Sequence, residues 1–323
     1  MNIHARLNFF YSCLSDEEKR VYMELVISLR KLKKSVKVRT IGNNIDFQLI
    51  LFAIKEDLPE LFYVNFSAVT IVMNGFSATL YFTFYYNDID IYWLMRELAE
   101  IVAEISVTGN ILQDEFNIHK FIVNNVNYSS NSISNDSFTI KGALIDKEAV
   151  CEGYSKAFKF LCDYANIPCI IVSGTALNNH GVHEKHSWNI VRINKDFFHV
   201  DSTWNRNTLE NLNLSLYLNV SDSFISGNHI WQKEKYPKCI VKSKLESQII
   251  TVSDTAKLHT VLNDSIRNKQ RHLLLSFNFE IDGTIGLMAL VEQKLSTMNQ
   301  LAIKSYQVSY VQELNCGVVL FDY

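Results

Sequence analysis

Hydrophobic positions in the first third of the chain switch between helical and strand spacing. Ser15 followed by Glu18 is a capping-box signature, and apolar residues at helical spacing come after it. The Asn74-Gly75 pair lies between two runs rich in β-branched and aromatic residues, which is typical of a β-hairpin. The predicted elements are helices over residues 15–33, 46–55 and 91–105 and a hairpin within residues 68–86.

The same two periods continue through the rest of the chain, where a polar loop over residues 129–137 separates two helices. The central elements are helices over 113–125 and 151–165, then strands over 169–173, 187–193 and 197–201. The C-terminal elements are a helix over 253–266 and strands over 272–279, 303–311 and 317–321. We expect three domains, an N-terminal α/β domain over residues 1–108, a central domain over 109–244 and a C-terminal α/β domain over 245–323.

The composition is that of a folded protein without a nucleic-acid-binding surface. Of the 323 residues, 48% are hydrophobic and 20% are charged, which is enough for several cores and argues against disorder. The net charge is −3, and the basic run over residues 30–39 is interpreted as a helix end and a solvated face. We therefore expect no nucleic-acid partner. No apolar run approaches the ~20 residues of a membrane helix, and the N-terminal segment is too interrupted for a signal-peptide core. A cytoplasmic protein with no membrane association is expected.

The six cysteines are irregularly spaced and contain no CxxC pair, so neither a zinc site nor a dithiol redox centre is predicted. In a reducing compartment most of them should be small buried hydrophobic side chains. No acidic cluster has the pattern of a calcium loop. We expect no cofactor and no metal.

Cys151 differs from the other cysteines because it lies where a loop becomes a helix. Its sulfur would lie near backbone N–H groups at the positive end of the helix dipole, which favours the thiolate. A nucleophilic thiolate needs a base. His186, at the start of a predicted strand, is the best candidate, with Asp201 at the end of the next strand to orient it.

The spacing of the two strands allows this geometry to be worked out. If residues 194–195 form a two-residue loop, Trp188 lies opposite Asp201 and His186 lies opposite Thr203. Side chains alternate along a strand, so His186 and Asp201 would share one face as diagonal neighbours. A three-residue loop would reverse that alternation unless a bulge corrected it.

The sequence around these residues resembles the transglutaminase-like superfamily of papain-fold cysteine enzymes, and looks most like its bacterial branch. The segments that carry the resemblance are GALIDKEAVCEGYSKAF (142–158), IP (167–168), VSG (172–174), HSWNIV (186–191) and HVDSTW (199–204). Flanking segments extend it over residues 118–239. The resemblance implies a Cys–His–Asp triad at Cys151, His186 and Asp201, the same three residues reached above from physical arguments.

The resemblance also implies the fold and the activity. The expected fold is α+β, with a papain-like core in which the nucleophile helix packs on an antiparallel sheet, and small α/β domains lie on either side. The central domain, 109–244, would be the catalytic one, acting on a protein or peptide amide through a thioester, by hydrolysis, deamidation or cross-linking. Two positions depart from related patterns: Ser129 stands where bacterial relatives have aspartate, and Ile145 where papain-like proteases have glutamine. The backbone N–H of Cys151 is therefore the one oxyanion donor we name.

Three alternatives stay open at this point. Asp201 could instead cap the turn that follows its strand, because Asp-Ser-Thr is good turn chemistry. His180, His183 and His186 would line one face of a helix and could then bind a metal, although Asn178 and its neighbours favour a loop. The whole chain could be a catalytically inactive binding or scaffolding protein that keeps the fold.

Overall fold

The computed structural model describes residues 8–40, 45–129, 134–178, 181–205, 215–297 and 303–323. The chain forms two compact units. The first contains Met1–Ser173 and His186–Arg206, and the second contains Gly174–Lys185 and Asn207–Tyr323. The division into three domains stays a prediction.

The first unit begins with helices and a small antiparallel sheet. Its early elements are α1 (Phe9–Ser12), α2 (Asp16–Arg30), β1 (Ser35–Arg39), α3 (Phe47–Asp57), β2 (Thr70–Asn74), β3 (Ser77–Tyr81) and α4 (Asp88–Glu104). The predicted capping box is present at the start of α2, where Ser15 and Glu18 bond each other's backbone N–H groups. The sheet has the order β1-β3-β2. Its hairpin turns at residues 75–76, with Gly75 at φ +57°, one position later than the Asn-Gly pair.

Strand β1 lies in the basic run, whose interpretation as a helix end and a solvated face is therefore incomplete. Val36 and Val38 are buried, whereas the residues that alternate with them are exposed. This is the two-residue period of a strand with one face on the core. Of the charged residues in the run, Lys37 and Arg39 lie on the outward face of β1.

The second half of the first unit holds the predicted nucleophile helix. Its elements are α5 (Ile111–Asn125), β4 (Asn127–Tyr128), α6 (Ile140–Leu144), β5 (Glu148–Ala149), α7 (Cys151–Tyr164), β6 (Cys169–Leu177), β7 (His183–Ile193), β8 (Asp196–Val200) and α8 (Ser202–Asn205). Strands β6 and β7 each continue into the second unit. Strands β6, β7 and β8 are neighbours in that order.

The register of the β7–β8 hairpin is the predicted one. Asn189 lies opposite Val200 and Ile193 opposite Asp196, with a two-residue loop between them. The hairpin does not extend to Thr203, because the chain enters α8 directly after Asp201. The expectation that Thr203 lies opposite His186 is therefore wrong.

Helix α7 is fastened to this sheet by polar side chains. The amide of Asn189 on β7 donates to the carbonyl of Ser155 on α7 at 3.0 Å and to that of Ile170 on β6 at 3.4 Å. The hydroxyls of Ser155 and Ser187 lie 2.8 Å apart. A helix packed on an antiparallel sheet is the arrangement expected of the core, and the α+β class is confirmed.

The second unit ends in two helices packed on a four-stranded sheet. The elements of this unit that follow β7 are β9 (Leu218–Val220), α9 (Asp222–Ile225), β10 (His229–Ile230), β11 (Ile249–Val252), α10 (Thr255–Arg267), β12 (His272–Phe277), α11 (Gly283–Ser296), β13 (Ser305–Val311) and β14 (Cys316–Asp322). The four-stranded sheet has the order β11-β12-β14-β13, and only its β11–β12 pair is parallel. Leu262, Leu275, Leu287 and Val319 are among the buried residues of its core. Strand β11 and helix α11 were not predicted.

Among the helices that the structure describes, none combines the length and the apolar character that crossing a membrane requires.

Candidate active site

Cys151 is the first residue of α7, as predicted. Val150, which precedes it, is extended and has no capping side chain. The N–H of Tyr154 bonds the carbonyl of Val150 at 3.1 Å, so the N–H groups of the three residues between them have no acceptor within the helix. The side chain of Cys151 is partly exposed. A thiol therefore lies at the positive end of a helix with access to solvent.

Gly153 lets the first turn of α7 approach the segment that precedes it. A Cβ atom at this position would lie 2.4 Å from the carbonyl oxygen of Ser137 and 2.7 Å from the Cβ of Ala149. Real Cβ atoms do not come this close to backbone oxygen, so only glycine permits this packing. The position of Cys151 depends on it.

Asp201 holds His186 and also caps α8. Its Oδ2 lies 2.7 Å from Nε2 of His186. Its Oδ1 accepts the backbone N–H groups of Thr203 at 2.9 Å and Trp204 at 3.0 Å. Asp201 therefore makes the contacts that both interpretations require, with one carboxylate oxygen on His186 and the other on the turn, and its role as an orienting acid stays a prediction.

The side chain of Cys151 also acts on the imidazole of His186. Burial lowers the pKa of His186, but the charge and hydrogen bond of Asp201, followed by the hydrogen bond and charge of Cys151, raise it to about 10. At neutral pH the imidazole therefore carries both ring protons. Since Nε2 faces Asp201, Nδ1 is the nitrogen available to the sulfur. The structure thus brings together all three residues selected from the sequence.

Two tryptophans enclose the imidazole. The ring of Trp188 stacks on His186 with centroids 5.9 Å apart and planes 19° apart. Trp204 lies against the same imidazole at 5.6 Å. Trp188 is itself fixed, because its Nε1–H donates to Nδ1 of the buried His199 at 3.0 Å. The rings of Trp188 and Trp204 keep water from competing for the His186–Asp201 hydrogen bond.

The carboxylate next to the sulfur in sequence is neutralised by lysines. Nζ of Lys156 lies 2.7 Å, and Nζ of Lys55 2.9 Å, from Oε1 of Glu152. Burial raises the pKa of Glu152, but the two lysines outweigh burial and the net pKa is lowered. A paired carboxylate opposes a negative charge on Cys151 less than an unpaired one would.

His119 and Asn205 belong to this site and were missed in the sequence. His119 lies on α5 and is buried, like Ile118 and Ile122 on the same helix. Nδ2 of Asn205 lies 2.8 Å from Nε2 of His119. Burial lowers the pKa of His119 to about 4, although the negative charge of Asp201 acts to raise it. The one available signal was a polar residue on an apolar helix stripe.

The metal interpretation of the histidine series does not fit the backbone. His183 and His186 lie on the strand β7, where residues three apart point to opposite faces. His183 is exposed and His186 is buried. His180 lies outside the described residues.

Comparisons with known proteins agree with the sequence resemblance. The family model described as the transglutaminase-like superfamily matches residues 99–202, which include Cys151, His186 and Asp201. The resemblance is confirmed over that range, whereas the bacterial branch stays a prediction. A search of curated proteins gives no match.

Two solved structures are similar to part of the chain. One is described as "a TGase", with 13% identity, a TM-score of 0.28, and coverage of 53% of this chain and 52% of that one. The other is described as "a Putative Cysteine Protease from Cytophaga hutchinsonii", with 15% identity, a TM-score of 0.27, and coverage of 42% and 61%. The matched part is thus about half of the first structure and about three fifths of the second.

Proposed function

We propose, from the transglutaminase-like match of residues 99–202, that this chain is a cysteine enzyme that transfers the acyl group of a protein or peptide amide. In this proposal Cys151 is the nucleophile, His186 is the general acid and base, and Asp201 orients the imidazole. The observation that supports it most is the imidazole of His186, which lies 2.7 Å from a buried carboxylate and whose pKa is raised by the side chain of Cys151 at a helix N-terminus.

The first half-reaction forms a thioester. The sulfur of Cys151, its proton held on Nδ1 of His186, attacks the carbonyl carbon, and the C=O electron pair moves onto oxygen. The backbone N–H of Cys151 points from the helix start toward that oxyanion and stabilises it. The oxyanion then re-forms the C=O bond as the C–N bond breaks, and His186 donates its Nδ1 proton to the leaving nitrogen.

The second half-reaction regenerates the enzyme. Neutral His186 takes a proton from water or from a primary amine as that nucleophile attacks the thioester carbon, and the C–S bond breaks. Water gives hydrolysis or deamidation, and an amine gives cross-linking. Asp201 stabilises the imidazolium in both halves because its Oδ2 stays on Nε2.

Mass spectrometry of a glutamine-containing peptide, incubated with and without a primary amine, separates these outcomes. A mass increase of about 1 Da indicates deamidation, shorter products indicate cleavage, and an adduct indicates amine transfer. We expect one of these with the wild type and none with Cys151→Ala. Cys13→Ala is the matched control, because Cys13 is the exposed thiol of the described chain and lies outside the site.

Two results would contradict the proposal. If Cys151→Ala turned the peptide over as fast as the wild type, Cys151 would not be the nucleophile. If neither protein changed any of a panel of glutamine peptides or proteins, the inactive scaffold would be the better interpretation.

A further inference from the structure

His119 and Asn205 join two elements that the sequence does not place together. Asn205 is the last residue of α8, and its side-chain amide donates to the imidazole of His119 on α5. An amide N–H can only donate, so Nε2 of His119 is the acceptor and the ring proton of the neutral imidazole is on Nδ1. Both side chains are buried, with 2% of His119 and 3% of Asn205 exposed.

Helix α8 is consequently fixed at both ends. At its start, Oδ1 of Asp201 accepts the N–H groups of Thr203 and Trp204. At its end, Asn205 donates its backbone N–H to the carbonyl of Asp201 at 3.2 Å and its amide to His119. A single turn of helix has little stability of its own. Its orientation, and with it the orientation of the Asp201 carboxylate, depends on these bonds.

We propose that His119 is a positioning residue for the triad, which holds α8 against α5 so that Asp201 keeps its carboxylate on His186. This inference rests on the proposed function for its consequence in catalysis. The neutral imidazole of His119 suits this role. A positively charged His119 would compete with His186 for the negative charge of Asp201. His119 touches neither the sulfur nor the substrate in this role.

The alkylation of Cys151 by iodoacetamide tests this role without any substrate. Peptide mapping of one sample gives the rates at Cys151 and at the exposed reference thiol Cys13. His119→Leu removes the acceptor and should lower the Cys151/Cys13 rate ratio at pH 6 by ~10-fold or more, since small misplacements of reacting groups have effects of that size. His119→Gln restores an acceptor oxygen and should recover most of the ratio. On a turned-over peptide, kcat should fall more than KM rises.

The control is Ile122→Val, which removes a buried methylene from the same helix and should leave the ratio unchanged. If His119→Leu does not fold, Asn205→Ala removes the donor instead and should lower the ratio equally. The proposal is overturned if the ratio is unchanged in the His119→Leu or Asn205→Ala variants, if Ile122→Val lowers it as much, or if His119→Gln recovers nothing. Turnover by Cys151→Ala would overturn the proposed function alone, because the alkylation ratio does not depend on turnover.

Discussion

Asp201→Asn should convert His186 from a charged to a neutral imidazole at neutral pH. The substitution removes one negative charge and keeps the size of the side chain. The remaining amide oxygen can still accept the N–H groups of Thr203 and Trp204, so α8 keeps its cap. The new amide N–H₂ then faces Nε2 of His186, which must become an acceptor. The charged imidazole loses its partner.

The magnitude follows from the pKa of His186, which rises from an ordinary 6.5 to about 10. At about 1.4 kcal/mol per pH unit, this difference corresponds to ~5 kcal/mol in favour of the charged ring. Burial opposes the charged ring, and the charge of Asp201 is the largest favourable contribution. Without that charge, burial should dominate and the pKa of His186 should fall below 6.5.

A titration of the His186 Cε1–H signal by ¹H–¹³C NMR from pH 5 to pH 11 measures this change, with His186→Asn to assign the signal. The matched control is Asp196→Asn, which changes the net charge equally at the start of β8, the strand that ends just before Asp201. Asp201 would not be the cause of the raised pKa if His186 still titrated near pH 10 in Asp201→Asn, or if Asp196→Asn lowered the pKa of His186 as far.

Substitutions at three buried or closely packed positions should change the stability of the fold in predictable directions. Lys159→Met leaves the buried carboxylate of Asp163 without its lysine 3.2 Å away and should cost ~3–5 kcal/mol in urea unfolding, most of it recovered in the Lys159→Met/Asp163→Leu double variant. Gly153→Ala forces a Cβ into the Ser137 carbonyl and should cost ~1–3 kcal/mol and slow alkylation of the site thiol. Burial raises the pKa of Asp57 from 3.8 to about 7. The folded carboxyl thus binds its proton more tightly than the unfolded one, and wild-type stability should fall between pH 4 and pH 7 relative to Asp57→Asn, measured by thermal unfolding. Equal pH profiles would contradict this.

Local chemistry explains which elements could be predicted. The capping box at Ser15 and the β7–β8 register depend on residues within a few positions of one another, and both are confirmed. Helix α11 was missed because its apolar residues do not form one stripe: Ile285 is 80% exposed, whereas Leu287 is buried. Two glycines at positions 283 and 286 weaken its helical signal further.

The candidate site shows the same limit. Cys151, His186 and Asp201 could be chosen from the sequence because they were expected at a helix start, a strand start and a strand end, although β7 begins three residues before His186. The bond between His119 and Asn205 joins residues 86 positions apart, and no local period contains such a pair. Such a long-range hydrogen bond can be found only once the helices are packed.

The proposed function depends on an acyl-enzyme that forms on Cys151 with the help of His186. The active ester 4-nitrophenyl acetate reports this step without a natural substrate, because formation of the thioester releases a burst of 4-nitrophenolate. We expect a burst of about one equivalent, an acetyl group on Cys151 in the peptide map, loss of the burst in Cys151→Ala and a slower burst in His186→Ala. A burst unchanged by Cys151→Ala, or acetylation confined to Cys13, would contradict the proposed function.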